Sequence, residues 1–516
     1  MAQQPPSQAL FAVLEYGEFP ELLRIAEAGR NALAAPPLFF FAKRGYRRLA
    51  ADSAEVVARG FQWLDADGRL HEAAAPAEAP VAPVGAVTEA IASAPAQLPE
   101  GRPNRSAGRS LLSVGLIPLF AAASFFADMV GVARTLARDL ANFSRDRRRF
   151  RRRYQALSRI LESRKPSLLV VGQDGVGSDL SFLLIAAGRL DIPRLIAPFA
   201  MFSLQETADY AGARPDHDAA TGALNRLVAR MYPHWLLRQD GRKVLRLPGY
   251  RALALETSGL IHGKPWTPLS EPSEAVTADS KVAADTLESL GLERSRLHVI
   301  GSPVQDLLAR KLDTRHEVRE RLSQAYGFDV GKPLLLCGWP VNMFAWLGGR
   351  PISYASYEEL AAAWAQALKQ AAVRHGVNVI VSVHPKTLDE EYAVARTQGL
   401  ACQRGGVEDL VAACDAFTTL NGSSITSWAI ACGKPTLLFD CFLTRYRDFL
   451  EVPGCINVES AQDFSAELHK LCGDAAWRET LAQRMKTVSA DWGQLDGQAG
   501  ARVEKLLAQI VSRGSL

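Results

Sequence analysis

The first 336 residues contain no cysteine. All seven cysteines lie from Cys337 onward, with no C-x-x-C pair and no regular spacing, which argues against a zinc ribbon, a dithiol redox site or a disulfide framework. Cys402, Cys414, Cys432, Cys441 and Cys455 sit in apolar or turn contexts and read as free thiols of a reducing cytosol. Charge of one sign is scarce too: 59 Lys and Arg face 55 Asp and Glu, so composition alone makes no case for a nucleic-acid binder. No internal repeat is found, which excludes a solenoid. Residues 1–8 lack a basic start and an apolar run, so no secretory signal is expected. No full dinucleotide fingerprint and no P-loop occur. The nearest approach is Gly172-Gln173-Asp174-Gly175-Val176-Gly177-Ser178-Asp179, after the apolar strand Ser167 to Val171. Two D-x-D matches, Asp65 with Asp67 and Asp216 with Asp218, do not follow apolar strands and read as turn carboxylates.

A chain of 516 residues exceeds one core. Apolar strands and helical periodicity alternate along it, which predicts an α/β protein with parallel sheets. Leu10 to Leu14 and Leu38 to Phe41 open the first half, and Ser167 to Val171 and Arg194 to Phe199 continue it. Leu253 to Glu256 reads as another strand. The second half begins at Pro333 with Leu334-Leu335-Leu336-Cys337 and a loop containing Trp339. The expected hinge lies near 305–332. Residues 73–104, rich in Ala, Pro and Glu, read as a linker.

The stretch from Asn378 to Asp440 organises the rest. The strand Val379 to Val383 runs into His384-Pro385-Lys386. A second strand, Ala416 to Leu420, is followed by Asn421-Gly422-Ser423-Ser424 and a helix over Ile425 to Cys432. Gly433-Lys434-Pro435 then leads into the strand Thr436 to Asp440. In open α/β sheets ligands sit beyond the carboxyl ends of the strands, and free N–H groups at a helix start attract phosphate. The expectation is that His384 and the serine pair, on neighbouring strand tips, close around one phosphate-bearing ligand.

Taken together, the strand-His-Pro element, the Ser-Ser helix start and the Gly-Lys-Pro strand resemble the C-terminal half of GT-B glycosyltransferases that build bacterial surface polymers. These include capsule Kdo transferases, polysialyltransferases and CDP-glycerol glycerophosphotransferases. The resemblance covers roughly residues 280–460, including the turn Gly301-Ser302-Pro303-Val304-Gln305-Asp306. It implies a GT-B fold: two Rossmann-like domains facing a central cleft, 1–310 for the acceptor and 311–516 for the donor nucleotide, with a helical basic insertion (73–154) in the first. It also implies donor binding by His384, Pro385, Ser423 and Ser424, with Lys386, Asn421 and Gly422 beside them. The implied transfer needs no metal and no cofactor beyond a CMP- or UDP-linked sugar as co-substrate. A surface polysaccharide or lipid-linked acceptor would receive that sugar.

Candidate bases for the acceptor hydroxyl are Asp174, Asp179 and Glu206, carboxylates near strand ends. The bland readings are turn stabilisation for Asp174 and helix capping for Asp179. Trp339 either stacks on a base or sugar or packs in the cleft wall. Ser110 to Ala127 carries no charge, and Arg145 to Arg153 packs seven arginines around Asp146 and Phe150. This combination suits contact with an anionic inner-membrane surface, a soluble core helix beside a charged one, or a spanning helix weakened by Pro118. No nucleic-acid motif accompanies the arginines, and nucleic acid is not an expected partner. A cytoplasmic, peripheral membrane location follows. Alternatives are a sugar-nucleotide 2-epimerase, a CDP-glycerol-type phosphotransferase and a non-catalytic membrane-associated scaffold.

Overall fold

The computed structural model describes residues 8–74, 117–239, 241–347, 352–384 and 387–513. The linker reading at 73–104 lies almost wholly outside these, as do residues 110–116, Pro385, Lys386 and the Gly348-Gly349-Arg350 loop.

Sixteen strands form among the described residues. They are β1 (Ala9–Val13), β2 (Leu38–Phe41), β3 (Gln62–Leu64), β4 (Leu70–His71), β5 (Leu168–Val171), β6 (Arg194–Ile196), a hairpin of β7 (Leu236–Gln239) and β8 (Arg242–Leu245), β9 (Ala275–Ala278) and β10 (Leu297–Val299). Then come β11 (Leu334–Gly338), β12 (Asn378–Val383), β13 (Ala401–Arg404), β14 (Ala416–Leu420), β15 (Thr436–Phe439) and β16 (Cys455–Val458). One sheet has the order β10-β9-β6-β5-β1-β2-β3-β4 and the other β13-β12-β11-β14-β15-β16. Every pairing in both is parallel except β3 with β4.

Numbered afresh from β11, the second sheet runs 3-2-1-4-5-6, the doubly wound order. The first follows the same path from β1, with β4 as an antiparallel edge. Each sheet therefore has one switch point, where successive crossovers leave in opposite directions and a crevice opens at the carboxyl ends. These lie between β1 and β5 and between β11 and β14.

Both faces of each sheet are covered, so the central strands are continuous apolar runs. Leu10 and Ala12 of β1 face one core with Phe40, Leu169 and Phe182. Ala9, Phe11 and Val13 face the other with Leu22 and Phe39. The last helix, Ala499–Arg513, returns to this second face, where Val503, Leu506, Leu507 and Ile510 recur at helical spacing and bury. Leu253 to Glu256 is the end of a helix, Gly249–Glu256, and not a strand. Its apolar residues pack against the long helix Ile117–Arg164, a tertiary preference that a four-residue run does not encode.

That 48-residue helix also revises the picture of the basic segment. Phe150, Leu157 and Leu161 are buried in the first lobe's core, and Phe150 meets Phe182 edge-on at 5.7 Å. The apolar side around the arginines is thus spent on the protein's own interior. No helix among the described residues is long and apolar enough to cross a membrane.

Candidate functional site

At the tip of β14 the buried Asn421 donates its amide to the Tyr446 carbonyl at 3.3 Å. Gly422 turns the chain at φ +88°, and a Cβ there would lie 2.9 Å from the Tyr446 ring, so glycine is required twice over. The turn leaves Ser423 half-buried and Ser424 exposed. Ser424 occupies the cap position of the helix Ile425–Ala431 without capping it through its side chain. Neither hydroxyl has a hydrogen-bond partner among the described residues, and the buried Asn421 Oδ1 is likewise unpartnered. The helix is one residue shorter than expected, so the hydroxyls matter more here than its dipole.

His384 follows β12 and is exposed. Because β12 and β14 flank β11 and do not pair with each other, imidazole and serines stand on alternate strand tips. That corrects the neighbouring-tip expectation and places the two strands roughly 10 Å apart, twice the strand spacing. Between them β11 ends in Gly338, whose carbonyl accepts from Thr419 Oγ1 at 3.1 Å. A Cβ at Gly338 would lie 2.7 Å from that oxygen, so the gap is closely packed at its floor.

Trp339 is a correction as well. It is 3% exposed, and its Nε1 donates to Tyr357 Oη at 3.0 Å and to the Glu391 carbonyl at 3.1 Å. It is core, with no free face for a base or sugar. Asp440 accepts from Thr444 N and Oγ1 and from Arg445 N, shaping the loop after β15. Lys434 Nζ donates to the Ala412 and Cys414 carbonyls and does not meet Asp440. Burial holds the thiols up, that of Cys337 to about 12.

In the first lobe the three candidate carboxylates part company. Asp174 accepts from the Leu269 amide at 2.9 Å and the Glu271 amide at 2.8 Å, one per oxygen. Burial raises its pKa despite these bonds. Asp179 is held by Arg153 Nε at 2.9 Å and Nη2 at 2.8 Å, while Ser178 caps the helix Asp179–Arg189. Glu206 differs. Ser203 caps the helix Leu204–Gly212 by accepting from Glu206 N, but the Glu206 carboxylate makes no reciprocal bond, nor any other hydrogen bond among the described residues. Burial raises its pKa, and the Asp448 and Asp209 charges raise it further.

One group escaped the sequence reading. Glu18, 0% exposed, accepts from the Leu14 amide at 3.0 Å and from Gln173 Nε2, bridging β1 and β5 at the first switch point. Burial pushes its carboxyl up to about 7, with those two hydrogen bonds pulling the other way. The available signal was a carboxylate in the short turn between an apolar strand and a Phe-Pro helix start.

The carboxyl edges of the two sheets face each other. Gln205 Nε2 donates to the Thr444 carbonyl at 2.9 Å, and Arg24 lies 3.9 Å from Glu408. Ser203 hydrogen-bonds Asp448, so the Glu206 helix start abuts the loop after β15, the strand beside β14. A separate basic cavity of about 980 Å³ lies beside the β2 and β5 ends, where Arg148, Arg149 and Arg152 of the long helix line it without a carboxylate partner among the described residues.

No family model matches the sequence, and no curated protein matches it. Solved structures do. The UDP-GlcNAc 2-epimerase from Neisseria meningitidis, bound to UDP-GlcNAc, is similar with a TM-score of 0.50 and 11% identity, over 98% of this chain and 100% of that one. The fold is GT-B. The calicheamicin glycosyltransferase CalG4 has a TM-score of 0.47 at 14% identity, over 99% of both chains. Anabaena HepE in complex with UDP-glucose has 0.45 at 11%, over 98% of this chain and 100% of its own. At such identities the likeness speaks for the fold alone.

Proposed function

We propose that this GT-B protein is a glycosyltransferase that moves a sugar from a CMP- or UDP-linked donor to a surface polysaccharide or lipid-linked acceptor. The observation that carries the reading is the pair of uncommitted hydroxyls, Ser423 and Ser424, at the second sheet's switch point. They face a lobe whose Glu206 is equally uncommitted. The donor phosphate binds at the serines, with His384 two strands away, across β11. Glu206 takes the proton of the acceptor hydroxyl as its oxygen attacks the anomeric carbon, and the bond from that carbon to the donor phosphate oxygen breaks. Charge growing on the departing phosphate meets donors already in place, which is where preorganised sites gain most. The three candidate carboxylates are not equal in this scheme: Asp174 and Asp179 shape the lobe.

A thermal-shift panel of CMP, CDP, UDP, GDP and ADP tests the reading. One nucleotide should stabilise selectively, and no shift with any of them sinks it. Incubation with the matching nucleotide-sugar then separates transfer from the second reading, a sugar-nucleotide 2-epimerase, which the end-to-end likeness to the Neisseria epimerase supports. Transfer releases free nucleotide; epimerisation returns an isomeric nucleotide-sugar.

Association with the inner membrane through 110–153 belongs to the same proposal. Deleting the segment would remove core residues, so the triple variant R148Q/R149Q/R152Q is the proper probe. It should sediment less with phosphatidylglycerol vesicles, and unchanged sedimentation contradicts the membrane role.

A further inference from the structure

A cavity of about 150 Å³ opens beside the first sheet's carboxyl edge, lined by the loop after β5, the start of the Glu206 helix, Arg246 after β8 and the loop 261–271. Cavities of this size admit one six-membered ring, not a chain. Most polar groups around it are already engaged. Asp174 is tied to the Leu269 and Glu271 amides, Ser203 to Glu206 N, and Ser270 to the Lys264 backbone.

Three groups keep a polar atom without a protein partner among the described residues. The Arg246 guanidinium, half-buried, has no ion pair and no hydrogen-bond acceptor among the described residues; it lies 5.8 Å from the centre of the Trp266 ring. Lys264 extends its exposed side chain at the rim without an ion pair among the described residues. Glu271 is 3% exposed; its Oε1 accepts from Ser181 Oγ at 3.0 Å and from His262 N at 3.4 Å, but its buried Oε2 has no partner among the described residues. Burying the unpaired Glu271 oxygen is costly unless a donor arrives for it, and the half-buried Arg246 guanidinium on the same wall offers an anion its fork. A neutral sugar would satisfy Glu271 and leave Arg246 bare; a simple anion would do the reverse.

We infer that this cavity is the subsite for a single acidic sugar residue, its carboxylate or phosphate held by Arg246 and Lys264 and one of its hydroxyls donated to Glu271 Oε2. Arg246 offers a planar fork that matches a carboxylate or phosphate edge. Ser203 lines the cavity and caps the helix that carries Glu206, so a sugar bound here lies beside the proposed base. That the residue belongs to the acceptor rests on the proposed transfer; its binding does not.

Ligand-observed NMR titration of the full chain with D-glucuronate, glucose 6-phosphate and glucose tests the subsite. At least one of the two anionic sugars should bind about tenfold or more tighter than glucose, the scale of a charge-assisted hydrogen bond. Arg246→Met should erase that preference, and Glu271→Gln should weaken both classes by about fivefold. Lys264→Gln, an exposed change, should cost the anionic sugar alone about threefold. Ligand-free Arg246→Met should melt no lower than the wild type, because it removes a half-buried charge that has no ion pair among the described residues; a purely structural arginine would lower the melting temperature. The inference is overturned if neither anionic sugar binds, if glucose binds as well as both, or if Arg246→Met keeps the preference. Intact acidic-sugar binding in a protein that answers to no nucleotide would uphold the subsite and defeat the transfer reading.

Discussion

The two sheets follow one topological path, and each opens a crevice where its crossovers diverge, yet the crevices are furnished in opposite ways. Between β1 and β5 the protein fills its own crevice: Glu18 bonds Leu14 N and Gln173, and a Cβ on Gly172 would touch both Glu18 and Phe199. Between β11 and β14 the last turns are built from glycine and serine, and the Ser423 and Ser424 hydroxyls and Asn421 Oδ1 have no hydrogen-bond partner among the described residues. Topology supplies two crevices of the kind that hold ligands. Side chains decide which is free. The first lobe accordingly buries Glu18 at its switch point, whereas the second leaves the Ser424 hydroxyl exposed at its own.

The largest effect should come from Glu206, the one of the three candidate carboxylates without a hydrogen bond among the described residues. Glu206→Gln keeps size and helix start but cannot take a proton, so kcat should fall by about 10²- to 10⁴-fold while the nucleotide Kd holds. A variant retaining full kcat would return the base role to an unassigned group. On the second lobe, His384→Ala should lower kcat/KM by about 10²- to 10³-fold, the range for losing one preorganised donor. The melting temperature should stay put, since the residue is exposed. Unimpaired transfer in that variant would remove His384 from the donor site.

The buried side of the comparison is tested by pH. Glu18 titrates at about 7 when folded, against an ordinary value near 4.5. Folding therefore favours its protonated form, and the stability this gives is complete below pH 4.5 and drains away as pH rises to 7. Glu18→Gln is the permanently neutral counterpart, and Gln173 can turn its amide to accept from it. Relative to wild type it should be no more stable at pH 4 and about 3 kcal/mol more stable at pH 8. Denaturant midpoints at the two pH values check this. Equal differences at both would show that Glu18 is ionised in the fold.

Much of this was legible beforehand. Strands buried on both faces are unbroken apolar runs, so β1, β2, β5, β11, β12, β14 and β15 announce themselves, and the turn at Asn421–Ser424 is marked by residue size. What sequence withholds is lateral order. Nothing in the chain says that β11 separates β12 from β14, and so His384 was set one strand too near the serines. Trp339 was equally unreadable, because an aromatic after a strand has the same spelling whether it stacks on a ligand or fills the core. Glu18, Arg246 and Glu271 were missed because a buried polar residue becomes exceptional only once its neighbours are known.

The smallest expected effect is the most discriminating. Ser424 is exposed, makes no cap, and has no partner among the described residues, so within the protein alone its hydroxyl does nothing. Ser424→Ala should then leave stability unchanged, and if anything raise it slightly through better helix propensity. A hydrogen bond to a charged phosphate is worth about 1.5–3 kcal/mol, so the same change should weaken the responding nucleotide by about tenfold or more, without altering acidic-sugar binding in the first lobe. Calorimetric titration of both ligands reads the two arms at once. Should nucleotide affinity survive the loss of this hydroxyl and of its neighbour in Ser423→Ala, the open crevice would be merely open, and the contrast between the switch points would be one of packing alone.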